Sequence, residues 1–589
     1  MNHKTLLGLF ALLALACGGA PGLSLTFPDN QPEDLRAVLE RAQRGGSDRP
    51  VAVGLTESPP RLYAFDLEAG RRSWEQPVEE PRTAPSIAGD LVVLHEGSRI
   101  VGRRMQDGAV ALALPDGNLQ LVGAAGEGNL AAIVLSTGGA VGARSRVFIV
   151  RGGGIASELA MDSAVGVPAV RGGLVFLPWG NQNVSAIDGD TGAEVARLRF
   201  QDGVVGHVRA TPAGLVFGQT GAGRMAADVS RAGVGWYQPD VSALPGQPPL
   251  WRDAYAPPAG PRSATHRVAL AWAPAAGEGP LSATDGTLYL TFYRMVFGLA
   301  QDGLSTRFVY EHPVDVVGAA AREGGVLLAD AGGGLTFVGA DGRPAWSAET
   351  GMEPSVVALR IEGFTPSGEA GPALPPLADQ LLGAAQNTDA RLVPARAFAV
   401  RQLAGQPEAS VTEHLIVLCD ERSLPADLRR AACDALGGRE LGADAVLAAL
   451  GRRASYLAET RAPPVGALAT AAARLGERRA VPLLIGHLRD PETALTDFPA
   501  LAAALGQLGD RAAAEPLEDF LWLYHAEGED PALAAALGHV ARGLLALAGP
   551  VGREAVEAVM DAPFTSAGVR AQLAAALQAA AQATPAASE

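Results

Sequence analysis

The chain has 589 residues, too long for one compact core, so several domains or a repeat array are expected. Its 72 glycines and 42 prolines exclude an all-helical protein and suit short strands joined by tight turns. The formal net charge of −16 repels phosphate backbones and argues against nucleic-acid partners.

Met1–Cys17, MNHKTLLGLFALLALAC, opens with Lys4 and continues as an apolar run, Thr5–Ala16, too short to span a bilayer. Ala14-Leu15-Ala16-Cys17 resembles a bacterial lipobox. That resemblance implies cleavage before Cys17, lipidation of Cys17 and a membrane anchor. Gly18 in place of Asp implies, by analogy with Gram-negative lipoproteins, the outer membrane facing the periplasm. The alternative is an ordinary secretory signal cut near Ala16 or Ala20, with Cys17 incidental. No later stretch reads as transmembrane. Residues 18–50 read as a tether with one short amphipathic helix. Pro32 suits its first turn, Glu33 and Asp34 its positive end, and Leu35, Val38, Leu39 and Ala42 recur at helical spacing. The helix is expected to pack on the next domain, with partner binding as the alternative.

Residues 51–363 alternate short apolar runs with turn residues. Val51–Thr56, Arg61–Asp66 and Arg71–Val78 read as three strands. A second unit opens at Ala84-Pro85-Ser86 and continues through Leu91–His95, Arg99–Arg104 and Ala109–Leu114. The same opening recurs at Val167-Pro168-Ala169 and again at Ala210-Thr211-Pro212. A recurring four-stranded meander is thus expected, near 51–78, 84–114, 119–161, 166–199, 204–240, 265–311 and 314–348. The first unit lacks an opening strand, and Ser355–Glu362 has no unit of its own. The latter is expected to complete the former and close the ring. Gln238–Pro261, rich in proline, reads as an insertion that is either a solvated loop or a binding loop.

Three stretches carry a common motif: Asp66, Gly70 and Trp74; Asp188, Thr191 and Gly192; Asp341, Gly342 and Trp346. This resembles the PQQ-like repeat of quinoprotein-type β-propellers, and it implies a propeller of about seven blades, with eight as the alternative. Asp should cap the turn, Gly accept positive φ, and Trp dock on a neighbouring blade. The lipobox followed by such a propeller is similar to the lipoprotein subunit of the outer-membrane β-barrel assembly machinery, over the first part of the chain only.

Residues 364–377, rich in Pro and Gly, read as a linker. Beyond them the period changes to 3.6. Leu475-Gly476-Glu477 recurs as Leu508-Gly509-Asp510, 33 residues on, and Pro482 as Pro516, 34 residues on. The pattern over 378–589 resembles HEAT-like repeats, which implies an α-solenoid with a protein-binding face.

Cys419 and Cys433 fall on consecutive helices. A bridge between them is permitted in an oxidising compartment. The unequal distances of the two from the intervening turn instead favour two buried thiols. No spacing of His and Cys suggests a metal, and no cofactor is implied. Asp188 and Asp190 lack the later glutamate of a calcium loop and read as a capped turn. The propeller stretch lacks the vicinal cysteines a quinoprotein dehydrogenase commonly uses. The expectation is a non-catalytic, lipid-anchored envelope scaffold whose partners are other envelope proteins. The alternative is a propeller that binds a small ligand or cofactor in its central funnel.

Overall fold

The computed structural model describes residues 32–46, 48–137, 142–199, 205–211, 214–219, 223–228, 233–237, 268–273, 287–300, 305–368, 371–453, 461–527 and 530–583. Cys17 and the insertion Gln238–Pro261 lie outside them. The chain divides into two compact units, Met1–Leu377 and Ala378–Glu589.

Among the described residues, the first unit opens with helix α1 (Pro32–Gln43) and its other named elements are strands. The first group is β1 (Val51–Glu57), β2 (Pro60–Asp66) and β3 (Arg71–Pro77). Next come β4 (Ser86–Ala88), β5 (Leu91–Glu96), β6 (Arg99–Arg104) and β7 (Val110–Pro115), then β8 (Gln120–Glu127), β9 (Leu130–Ser136), β10 (Ser145–Arg151) and β11 (Gly154–Met161). They are followed by β12 (Ala169–Arg171), β13 (Leu174–Trp179), β14 (Asn183–Asp188) and β15 (Glu194–Arg199). Then come β16 (His207–Thr211), β17 (Gly214–Gln219), β18 (Gly223–Asp228) and β19 (Gly233–Tyr237). The last groups are β20 (Val268–Ala273), β21 (Thr287–Phe292), β22 (Met295–Ala300) and β23 (Thr306–Glu311), then β24 (Val316–Arg322), β25 (Gly325–Asp330), β26 (Gly334–Gly339) and β27 (Pro344–Glu349), with β28 (Val356–Arg360) at the end.

Among the described residues these strands form five four-stranded antiparallel sheets and one eight-stranded sheet. The eight-stranded sheet is two meanders, β4–β7 and β8–β11, joined where Ala88 pairs in parallel with Gly126. The first meander is completed from far downstream. β28 pairs antiparallel with β1, from Val51 opposite Arg360 to Leu55 opposite Val356, as the unpaired strand at Ser355–Glu362 led one to expect. This is a β-propeller-like domain.

The first strands of the meanders sit side by side: β28 beside β4 and β24, β4 beside β8, β8 beside β12, and β12 beside β16. Their close approach needs glycine at two places. A Cβ on Gly126 would collide with the Ala88 backbone, and one on Gly318 with the Val357 carbonyl. The core lies in layers between meanders rather than at one centre. Ala52, Tyr63 and Phe65 pack against Leu327, Phe337 and Val357; Val53, Leu55 and Trp74 face Val92 and Leu94 on the other side. Each fully buried Leu or Phe of this kind is worth about 1.5–3 kcal/mol.

The described residues of the stretch expected as a linker, 364–368 and 371–377, are seated on the last meander. Phe364 meets Trp346 edge to face at 5.1 Å, the Gly371 N–H donates to the Pro344 carbonyl, and Leu374 packs against Phe308. Their apolar residues find partners that composition does not reveal, and they cover the otherwise open edge of β27.

The second unit is helical: α2 (Leu377–Gln386), α3 (Val393–Leu403), α4 (Ser410–Asp420), α5 (Ala426–Gly437), α6 (Ala443–Leu450) and α7 (Val465–Arg474), then α8 (Val481–Leu488), α9 (Phe498–Leu508), α10 (Ala514–Tyr524), α11 (Pro531–Asp561) and α12 (Ala567–Ala583). α3, α5, α7, α9 and α11 pack one upon the next, and α4, α6, α8 and α10 form a second row. The Leu-Gly-acid turns do the same work twice. Gly476 and Gly509 take φ of 62° and 68°, and Glu477 and Asp510 accept the N–H two residues on. α11 is long and apolar enough to cross a membrane by length and composition, which the sequence reading did not anticipate. It breaks at Gly549, ahead of Pro550, and much of its surface is buried against α9, α10 and α12.

Cys419 and Cys433 are joined by a disulfide, with Cα atoms 4.8 Å apart. This differs from the expected pair of free thiols. Equal heights on antiparallel helices are not required, because the five residues Glu421–Pro425 let the end of α4 lie beside the middle of α5.

Candidate functional site: the strapped channel mouth

The motif residues serve the fold. Asp66 accepts the N–H groups of Glu68 and Ala69, and Gly70 has φ of 62°. The buried Trp74 indole donates to the Met105 carbonyl at 2.6 Å, which docks the first meander on the second. Asp188 accepts from the N–H groups of Asp190 and Thr191 and from the Thr191 hydroxyl, ahead of Gly192 at φ of 71°. Asp341 accepts from the Arg343 N–H and guanidinium. Trp346 packs among the residues between the last meander and the first. Asp190, weighed as a cation ligand, pairs instead with Arg151. Among the described residues no group of three His, Cys, Asp or Glu is placed to hold a metal ion.

A different set of residues converges where the inner strands end. β28 ends at Arg360, β8 at Glu127 and β12 at Arg171, and the turns that follow β4, β8 and β12 begin at Gly89, Gly128 and Gly172. These ends share one mouth of the propeller's channel because the inner strands run parallel around the axis. The chain crosses that mouth. α1 is packed on the fourth and fifth meanders through Val38, Leu39 and Ala42, whereas β1 belongs to the first meander. Residues 44–46 and 48–50 therefore pass over the ring between them.

The crossing is held at each step. The Arg41 guanidinium donates to Asp188 at 2.6 Å and to the Gly172 carbonyl at 2.9 Å. Burial alone would raise the Asp188 carboxyl, but the bonds from Arg41 and Thr191 outweigh it and hold it at about 2. Arg171, only 6% exposed, donates to the carbonyls of Ala42 and Gly45. It also forms two bonds to the Glu362 carboxylate, at 2.8 and 2.9 Å. Since Arg171 ends the first strand of the fourth meander and Glu362 follows β28 in the first, that pair spans the mouth. Asp48 accepts from the Gly128 N–H at 2.9 Å and from Arg360 at 3.1 Å. Arg360 also donates to the carbonyls of Arg49 and Gly89. Glu127 accepts from the Gly172 N–H at 2.5 Å, and burial pushes its carboxyl up.

Helix α1 is expected on the propeller from its sequence, but residues 18–50 read as a tether, and none of Arg41, Asp48, Glu127, Arg171, Arg360 or Glu362 falls in a motif. Four of the six close a strand or flank one at a glycine turn, which is a signal of position only. Their pairing is between residues more than 100 apart, which no local pattern encodes. One further buried polar group was missed. The Glu194 carboxyl is pushed up to about 7 by burial, against the lowering effect of Ser185 and Arg197. It takes two bonds from Arg197, whose guanidinium lies 4.9 Å from the Trp179 ring centre.

Residues 46–195 match the family model described as outer membrane protein assembly factor BamB. A comparison with curated proteins returns no match. Among solved structures, the chain is similar to BamB from Moraxella catarrhalis, at 12% identity over 57% of this chain and 88% of that one, with a TM-score of 0.30. It is also similar to the Cps50 (Swd1) β-propeller domain of Myceliophteria thermophila, at 10% identity over 48% of this chain and 94% of that one, with a TM-score of 0.29.

Proposed function

We propose that this chain is a non-catalytic scaffold of the bacterial cell envelope. It is anchored by a lipid on Cys17 at the outer membrane, faces the periplasm and binds other envelope proteins. Its propeller has seven blades and its helical unit is a HEAT-like solenoid, each offering a protein-binding surface. The observation that carries this reading is the match of residues 46–195 to an outer-membrane assembly factor. Two others support it. The Cys419–Cys433 disulfide suits an oxidising compartment. The motif Asp and Trp residues are engaged in turn caps and blade docks, so the repeat speaks for fold rather than for quinone chemistry.

Crosslinking in envelope fractions, with the full chain as bait, should capture specific envelope proteins, and removal of the helical unit should lose a subset of them. Capture of nothing above a control lipoprotein would overturn the scaffold reading. Cys17→Ser should move the protein from the membrane to the soluble fraction; unchanged fractionation would remove the lipid anchor from the proposal.

A further inference from the structure

We propose that the channel mouth is a binding site for a protein segment bearing a carboxylate, and that the end of α1 and the residues after it fill it in cis. The strap is bound as a ligand would be. The last turn of α1 supplies the Ala42 carbonyl, and the strap supplies the carbonyls of Gly45 and Arg49 and the carboxylate of Asp48. The ring supplies donors: the guanidinium groups of Arg171 and Arg360 and the N–H of Gly128. Carbonyls are common to every peptide, so they are met without regard to sequence. The carboxylate is the one side-chain acceptor of the strap in this set. It receives a charge-assisted bond from Arg360 together with a backbone N–H, a pairing an aspartate or glutamate of another chain can reproduce.

Steric fit defines the path as well. A Cβ on Gly45 would collide with the Arg171 side chain and crowd Glu127, so the segment above Arg171 must be a glycine or lift away from it. The strap also leaves one ring group unmet. The second oxygen of Glu127 is buried and, among the described residues, has no hydrogen-bond partner. An incoming segment that donates there satisfies a group the strap does not. Simple opening would take the Gly45 carbonyl from Arg171, and Asp48 and the Arg49 carbonyl from Arg360, whereas exchange of one segment for another replaces them. The mouth is thus built for replacement of the strap by a partner's segment. This deepens the scaffold reading by naming a docking site and the chemistry of what docks.

The test uses the full chain made soluble by Cys17→Ser, and a fluorescent synthetic peptide of residues 41–50, RAQRGGSDRP. Asp48→Ala loosens the strap. That chain should bind the peptide at least about tenfold more tightly than the chain with Asp48 intact, and an Asn counterpart of the peptide's aspartate should lose about tenfold. A folded Asp48→Ala chain that binds neither peptide, or both equally, overturns the proposal. Should that substitution unfold the propeller, hydrogen exchange of the chain with Asp48 intact decides. Millimolar peptide should speed exchange of the strap amides but not of β1; strap exchange unmoved by peptide overturns it. Failure here with envelope crosslinks intact removes the site and leaves the scaffold. Peptide binding without crosslinks does the reverse.

Discussion

At the scale of single residues, aspartates fix both the turns and the crossing. Asp188 does two jobs, capping its own turn with one oxygen and holding Arg41 with the other. Its carboxyl is lowered from the ordinary 3.8 to about 2. A depressed carboxyl contributes stability above its unfolded value and loses it as pH falls through the folded one. Acid unfolding of the chain should therefore include a component between about pH 4 and pH 2 that Asp188→Asn abolishes; an identical acid limb in the variant, followed by circular dichroism, would refute this. Arg439 shows the same economy in the helical unit. Almost wholly buried, it donates to the carbonyls of Leu403, Ala404, Gln406 and Glu408 and to the Thr412 hydroxyl. Arg439→Ala should cost about 2–4 kcal/mol, and Arg439→Lys should not restore it, because an ammonium cannot span five acceptors. Urea unfolding measures both.

At the scale of elements, β28 matters most for ring closure. It gives β1 a partner from about 300 residues downstream and sits beside β4 and β24. Deleting Ser355–Glu362 also removes Glu362, the partner of Arg171. Amide exchange in Val51–Leu55 should rise by orders of magnitude and the propeller should lose cooperativity; unchanged protection there would show that β28 is dispensable. Among the helices, four exposed ion pairs link residues about one repeat apart: Asp420 with Arg452, Glu440 with Arg474, Asp444 with Arg479, and Arg489 with Asp519. Each contributes little to stability at such exposure, at most about 1 kcal/mol. Their spacing nevertheless marks the register in which one helix pair follows another.

At the scale of the whole molecule, two units with separate cores should unfold in separate steps. Only the helical unit contains a disulfide among the described residues, and it closes a short loop worth roughly 3 kcal/mol in the chain-entropy account. Calorimetry with and without reductant should move one transition and leave the other in place, and Cys433→Ser should reproduce the reduced behaviour. A shift of both transitions, or of neither, would contradict that division.

The strands, the turns and the change of period are legible in the sequence. These depend on neighbours: Asp66 and Gly70 lie four residues apart, and Leu475-Gly476-Glu477 is a contiguous turn. The missing strand of the first meander was legible too, because one unit lacked a strand and Ser355–Glu362 had none to join. The remaining features depend on the fold. It seats residues 364–368 and 371–377 on the last meander and brings Cys419 to Cys433. It also draws the chain after α1 across the channel mouth, where Arg171 meets Glu362 and Asp48 meets Arg360. The reason is physical. Helix and strand periods arise from local backbone geometry and repeat along the chain. The pairing of buried charges depends on which distant segments the packed meanders make adjacent, and no periodicity records that.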